Sequence, residues 1–136
     1  MATLEQSISV FSQALNLRTQ RHQVLASNIA NADTPYYKAR DFKFETAMQN
    51  ALSGRMEAGG IALARTSGGH LAGGSGSGAA QLQFRKETQS AVDGNTVDMD
   101  VERSQIAENA MQYQILTQLI SDKFRGIRSA MASTNS

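Results

Sequence analysis

The placement of glycine and proline is the feature that most constrains how this chain folds. Nine of its 11 glycines lie between Gly54 and Gly78, and its single proline is Pro35. Residues 4–32 and 97–125 contain neither residue type. Glycine loses much backbone entropy in a helix, and proline lacks the amide hydrogen that a helix interior needs. The pattern therefore predicts two long helices that flank a less regular middle segment.

The first of these stretches has the period of an amphipathic helix. Its apolar residues alternate between spacings of four and three, as in a heptad seam: Leu4, Ile8, Phe11, Leu15, Leu25 and Ile29. Arg18 and His22 interrupt the same seam. The helix must end near Asp33, because Pro35 disfavours a helical residue before it. Asn31 is suited to the turn there, since asparagine tolerates left-handed backbone geometry.

The last stretch repeats this design. Asp98 or Asp100 can cap its start and places negative charge at the positive end of the helix dipole. Lysine and arginine residues follow near the other end, at positions 123, 125 and 128. A second heptad seam runs along this helix: Ile106, Ala110, Tyr113, Ile120, Phe124, Ile127 and Met131.

The middle segment, residues 34–95, contains weaker signals. A short amphipathic helix is predicted around Phe44, Met48 and Leu52, with Asp41 as a candidate cap. Alternation at 61–66 and 82–85 allows two short strands, which would form a small β-hairpin. The Gly/Ser-rich residues 67–80 between them are expected to form a flexible loop.

The expected fold is thus mainly α. Residues 1–33 and 96–136 each contribute a long helix, and the two helices are expected to pair as a coiled-coil-like rod module. Each helix also carries a second apolar row. The row on the first consists of Val10, Leu17 and Val24, and that on the second of Met111, Ile115 and Leu119. Two interpretations are open: the middle segment folds back over these rows, or neighbouring subunits cover them.

Composition and residue placement argue against an enzymatic, metal-binding or nucleic-acid-binding role. With 13 basic and 12 acidic residues, no strong field favours nucleic acid, and the absence of cysteine excludes thiolate sites. His22 reads as a polar core or subunit-contact residue, and His70 lies in the glycine-rich segment. Asp93, Asp98 and Asp100 lack the spacing of a calcium loop and suit turns and caps. No enzymatic activity, metal, cofactor or small-molecule substrate is therefore expected.

Two long motifs carry a family resemblance, LASNIANADTPYYKARDF at 25–42 and DGNTVDMDVERSQIAENAMQYQ at 93–114. The first resembles the N-terminal signature of bacterial flagellar rod and hook proteins, and both are similar to the proximal rod proteins in particular. That family usually has glycine where this chain has Tyr36, so a type I turn or an extended path is expected at Thr34–Tyr37. The matching motif residues are Asn28, Ile29, Ala30, Asn31, Ala32, Thr34, Pro35, Tyr37, Asp93, Gly94, Asn95, Asp98 and Asp100.

The resemblance implies a structural subunit that polymerises through its terminal helices around an export channel, as a ring or helical rod. It implies contacts with the FliE adaptor at the membrane ring, other rod proteins and the rod cap protein. It also implies export to the periplasm by the flagellar type III system without a cleaved signal peptide. The sequence itself has no secretory signal or membrane-spanning run, so cytoplasmic residence would follow without a dedicated exporter. The alternative function is a soluble coiled-coil adaptor or scaffold that forms a discrete oligomer.

Overall fold

The computed structural model describes residues 4–53, 80–86 and 92–133. The elements in chain order are α1 (Leu4–Ala30), β1 (Arg40–Asp41), α2 (Phe44–Leu52), β2 (Gln83–Phe84) and α3 (Met99–Ser133). The predicted mainly α fold, with two long terminal helices, a short middle helix and a small antiparallel sheet, is confirmed. The predicted strand at 61–66 lies outside the described residues, as does the predicted loop up to residue 79.

Helices α1 and α3 pack against each other in antiparallel orientation. Asn28, near the end of α1, contacts Glu102 near the start of α3, and Asn109 contacts the carbonyl of Arg18 further along. The interface is more polar than the two heptad seams predict, because Asn28, Glu102 and Asn109 are about as deeply buried as the seam residue Leu25. Among the seam residues of α3, Phe124 and Met131 are instead 52% and 67% exposed.

The small apolar core forms where the middle segment folds back over α1. Leu17 is only 1% exposed and packs in one cluster with Phe42 and Ala51. Val24 is partly buried against the same cluster, together with Phe44, Met48 and Ala80. The prediction that Leu17 belongs to a subunit-contact row is therefore wrong, because Phe42 and Ala51 supply its apolar partners within the subunit. Fold-back is thus the correct interpretation for Leu17 and, in part, for Val24.

The starts of the two later helices differ in how they are capped. Asp98 caps α3, since its Oδ1 accepts hydrogen bonds from the amides of Asp100 at 3.0 Å and Val101 at 3.3 Å. Asp100 is not the cap. Helix α2 follows Lys43, which makes no side-chain cap bond. The prediction that Asp41 caps α2 is wrong, because ion pairs with Arg21 and Arg85 hold its carboxylate.

The sheet joins two segments that are far apart in sequence. Arg40 lies opposite Phe84, and Asp41 lies opposite Gln83. The predicted strand at 82–85 is confirmed, but its partner here is a two-residue strand without a hydrophobic pattern of its own. None of the helices in the described parts of the chain combines the length and apolarity needed to cross a lipid bilayer.

Candidate functional site

Asn95 closes the turn that follows α1. Its side chain is 4% exposed, and its Nδ2 lies 2.8–2.9 Å from the carbonyl oxygens of Asn31, Ala32 and Thr34. Its Oδ1 accepts a hydrogen bond of 2.8 Å from the amide of Val97. One buried carboxamide therefore satisfies polar backbone groups from both sequence motifs, which meet at this end of the helix pair. We call the region formed by residues 28–41 and 93–102 the motif junction.

The backbones of the two motifs also bond directly to each other. The amide of Tyr36 donates to the carbonyl of Asp93, and the amide of Thr96 donates to the carbonyl of Tyr37, both at 3.0 Å. The hydroxyl of Thr96 accepts a bond of 2.8 Å from the amide of Ala39. These bonds fix the path by which the chain leaves α1 and the path by which it enters α3.

The turn at Thr34–Tyr37 keeps a left-handed residue although no glycine is present. The amide of Tyr37 donates to the carbonyl of Thr34 at 3.3 Å, and Tyr36 has a φ of 60°. A left-handed residue at the third position of a turn, directly after a proline at the second, is the signature of a type II turn. The expected type I turn or extended path is therefore wrong. Asn31 is not the left-handed residue, because Tyr36 is the only non-glycine with positive φ among the described residues.

Gly94 is the counterpart of this turn on the second motif. Its φ is 72°, and a Cβ placed on it would lie 2.9 Å from Cδ1 of Tyr36. Any side chain at position 94 would thus be strained by its backbone and would collide with the tyrosine ring. The Oδ1 of the preceding Asp93 accepts a bond from the amide of Asn95, which holds this turn in place. Close approach of the two motifs therefore requires glycine here.

Asn28 connects α1 to β1 and α3 from a fully buried position. Its Nδ2 donates to the carbonyl of Arg40 at 2.7 Å and to Oε2 of Glu102 at 3.2 Å. Its Oδ1 accepts from the amide of Arg40 at 3.0 Å and lies 3.4 Å from the hydroxyl of Tyr37. By bonding both the carbonyl and the amide of Arg40, the carboxamide pairs with β1 as a neighbouring strand would. The other motif residues of α1, Ile29 and Ala30, form its last turn.

A network of alternating charges lies beside Asn28. Arg21 binds both carboxylate oxygens of Asp41, at 3.1 and 3.0 Å, and Arg85 binds Asp41 Oδ2 at 3.1 Å. Arg85 also pairs with Oε1 of the fully buried Glu102. Burial raises the pKa of Asp41, but the hydrogen bond and charge of Arg21 outweigh this and hold the pKa below its usual value. The hydrogen bond to Asp41 in turn raises the pKa of Arg21.

This network has the character of a structural connection. Both carboxylates are occupied by guanidinium groups from other elements, and the lowered pKa of Asp41 keeps its carboxylate charged near neutral pH. Together the four side chains tie α1, β1, the segment after β2, and α3. Within the described parts of the chain, no group of three or more histidine, aspartate or glutamate side chains is placed to hold a metal ion.

His22 lies on the surface of the helix pair and is not a core residue. It borders a cavity of about 310 Å³ between α1 and α3, which Arg18, Asn109 and Tyr113 also line. The guanidinium of Arg18 sits 3.6 Å from the centre of the Phe44 ring, and burial lowers its pKa. His70 lies outside the described residues.

The second apolar row of α3 is exposed, unlike that of α1. Met111, Ile115 and Leu119 are 63%, 53% and 44% exposed and follow one another at i, i+4 and i+8. Among the described helices and strands, α3 packs only against α1. Val10, by contrast, is half-buried near the start of α1. The sequence motifs thus build a rigid junction at one end, and α3 projects an uncovered apolar row away from it.

Comparison with known proteins identifies close relatives along the whole chain. A family model described as flagella basal body rod protein matches residues 8–38. The flagellar basal body rod protein FlgB of Salmonella typhimurium (strain LT2) is 42% identical over 134 residues, which cover 97% of both chains. The FlgB protein of Escherichia coli (strain K12) gives the same identity and coverage. FlgB of Cereibacter sphaeroides (strain ATCC 17029) is 36% identical over 131 residues, covering 96% of this chain and 98% of the relative.

Proposed function

Because the chain belongs to the FlgB family of flagellar basal body rod proteins, we propose that it polymerises through its terminal helices as the cell-proximal segment of the rod, around an export channel. Its role is that of a structural subunit of the basal body rod. In this proposal residues 1–33 and 96–136 form the rod core module, and residues 34–95 stabilise it from one side.

The observation that carries the proposal is the exposed apolar row of α3. Burying a large apolar side chain is worth about 1.5–3 kcal/mol, so three such residues in line are a strong drive for association. Contiguous apolar surface of this kind is uncommon on proteins that function as monomers. The proposed subunit contact consists of Met111, Ile115 and Leu119 on α3, and Val10 and the exposed part of Val24 on α1 are proposed as further contact residues. Leu17 is left out because it is buried within the subunit.

The proposed partners follow from the family and from the motif resemblance. They are further copies of this chain, other flagellar rod proteins, the FliE adaptor at the membrane ring and the rod cap protein. We propose that the subunit reaches the periplasm through the flagellar type III system without cleavage of a signal peptide. The apolar core of the subunit is small, which is compatible with unfolding for passage through such a channel.

The test is a charged substitution in the apolar row, Leu119→Asp, supplied to a strain of a flagellated host from which its own FlgB has been deleted. A carboxylate at this position would be desolvated without a partner in every subunit contact. We expect a stable, exported protein that builds no rod, so that cells lack hooks and do not swim. Ser121→Asp is the matched control, because Ser121 is an exposed polar residue on the same helix. It should support normal swimming.

Two outcomes would contradict the proposal. If Leu119→Asp cells swim as well as Ser121→Asp cells, the row is not a subunit contact. If Leu119→Asp protein is degraded before export while Ser121→Asp protein accumulates, the row belongs to the core of the subunit itself. Hook counts by electron microscopy and the amount of exported protein separate these cases.

A further inference from the structure

A cleft of about 380 Å³ lies between the two-stranded sheet and the start of α2. We call it the basic cleft, after the cations that line it together with Phe84: Arg21, Lys43, Arg85 and Lys86. Asp41 and Glu102 pair with the two arginines, while Lys43 and Lys86 are exposed. Because these four cations face only two carboxylates, the cleft presents a net positive charge to solvent.

Phe84 gives the basic cleft an aromatic edge. Its side chain is 70% exposed, and Cζ of Arg40 lies 5.5 Å from the centre of its ring. The network of Arg21, Asp41 and Arg85 holds the floor of the cleft rigid. Aromatic and arginine side chains are enriched where proteins contact one another, and aromatic rings bury large areas with little loss of freedom. The cleft therefore has the composition of a protein-binding surface for an acidic segment.

The end of the helix pair at the motif junction has the opposite charge. It carries four carboxylates, which we call the acidic tip: Asp33, Asp93, Asp98 and Asp100. Residues 31–36 and 92–100, which build this end, include no lysine or arginine. The side chain of Asp100 is 96% exposed. Asp93 and Asp98 each use Oδ1 to bond the backbone, which fixes the positions of their carboxylates.

We propose that the basic cleft of one subunit binds the acidic tip of a second copy. This inference rests on the proposed function and adds to it a contact that orients successive subunits. The two surfaces are different and complementary, so a contact between them can repeat from copy to copy, as a rod requires. Paired charges favour the correct orientation and penalise like-charged approaches. In this arrangement the apolar row of α3 supplies most of the binding energy, and the charged contact sets the register.

The test exchanges the two charges in cells that lack their own FlgB. The cleft variant is Lys43→Glu with Lys86→Glu, and the tip variant is Asp33→Lys with Asp100→Lys. Within the described parts of the chain, the side chains of Asp33 and Asp100 make no backbone bond like those of Asp93 and Asp98, and the ion pair from Asp100 to Arg103 is a long 3.9 Å. A fourfold variant combines all these changes.

The matched control reverses two exposed cations at the far end of α3, Arg125→Glu with Arg128→Glu. It changes the net charge as much as the cleft variant does. Far-UV circular dichroism and the amount of exported protein confirm that each variant folds and leaves the cell interior. Swimming halo diameter and hook counts are the readouts.

We expect the cleft variant and the tip variant each to reduce the number of hooks at least tenfold. The fourfold variant should restore hooks to at least half of the wild-type number, because its reversed surfaces again attract each other. The far-end control should remain motile. Rescue of this kind cannot arise from two independent contacts with other proteins.

Three results would overturn the inference. If the cleft and tip variants both swim normally, the charged contact does not exist. If each fails and the fourfold variant is not rescued, the cleft binds an acidic surface of a different protein. If the far-end control fails as severely as the cleft variant, net charge and not the cleft is responsible. In the first two cases, a defect in Leu119→Asp cells would show that the proposed rod function stands while this contact does not.

Discussion

Tyr36 offers a sharp test of whether the motif junction holds backbone strain. A non-glycine residue in the left-handed region costs about 1–2 kcal/mol relative to its preferred conformations. Tyr36 has a φ of 60° and an exposed fraction of 80%, so its ring recovers little of that cost by burial. Replacing Tyr36 with glycine removes the strain, although glycine adds about 0.5–1 kcal/mol of backbone entropy to the unfolded chain. We therefore expect Tyr36→Gly to stabilise the subunit by about 0.5–1 kcal/mol.

The control is Tyr36→Ala, which keeps the Cβ and therefore the strain but removes the ring that lies against Gly94. Urea unfolding followed by far-UV circular dichroism measures both variants, and thermal unfolding gives a second value. For a chain of this length, about 1 kcal/mol corresponds to a shift of about 3–4 °C in Tm. Tyr36→Gly should raise Tm by about 2–4 °C, whereas Tyr36→Ala should leave it unchanged or lower it slightly.

Equal loss of stability in the glycine and alanine variants would refute the strain argument. It would mean that the contact between the Tyr36 ring and Gly94 contributes more than the left-handed backbone costs. A gain in both variants would be equally damaging, because the alanine variant retains the strained φ. Only a gain confined to glycine supports the reasoning.

Two further perturbations test the bonds that hold the junction together. Asn95→Ala should cost about 2–4 kcal/mol, because it removes the buried donor shared by the carbonyls of Asn31, Ala32 and Thr34 and leaves the amide of Val97 without its acceptor; in urea unfolding a loss below about 1 kcal/mol would contradict this. Asp41→Asn should cost about 2–3 kcal/mol at pH 7, since it removes the carboxylate that pairs with the partly buried Arg21 and one of the two that pair with Arg85. Because the pKa of Asp41 is lowered in the folded state, its contribution is complete above its unfolded pKa of about 4 and is lost as pH falls below that value. The difference in unfolding free energy between wild type and Asp41→Asn should therefore shrink between pH 5 and pH 2, and parallel pH profiles would rule this out.

Sequence reasoning succeeds here where local rules decide the outcome. The heptad period and the absence of glycine and proline predict α1 and α3, and Asp98 caps α3 because a short acidic side chain reaches the free amides of the first turn. The same reasoning misses Asn28, Glu102 and Asn109 as interior residues. A buried polar residue depends on a partner across the interface, and no hydrophobic pattern reveals that partner. The polar seam of the helix pair is thus a tertiary property.

The two surprises at the junction have a similar origin. Glycine preference alone predicts that Tyr36 avoids the left-handed region, but its bond to Asp93 and its position beside Gly94 hold it there. The pairing of Arg40 with Phe84 was not predictable either, because a two-residue strand carries no period. In both places, contacts between residues far apart in sequence override a local preference.

The small core on α1 has a consequence for how chains of this family can vary in length. Both ends of the segment from Gly54 to Ala79 are anchored on the same part of α1. Ala51 packs on Leu17 before the segment begins, and the amide of Ala80 bonds to Gln20 where it returns. Closing a longer chain between fixed ends costs only about 0.6 kcal/mol for each doubling of its length. Extra residues, or a whole folded domain, can therefore be inserted at this one point while the helix pair, the motif junction and the sheet keep their geometry.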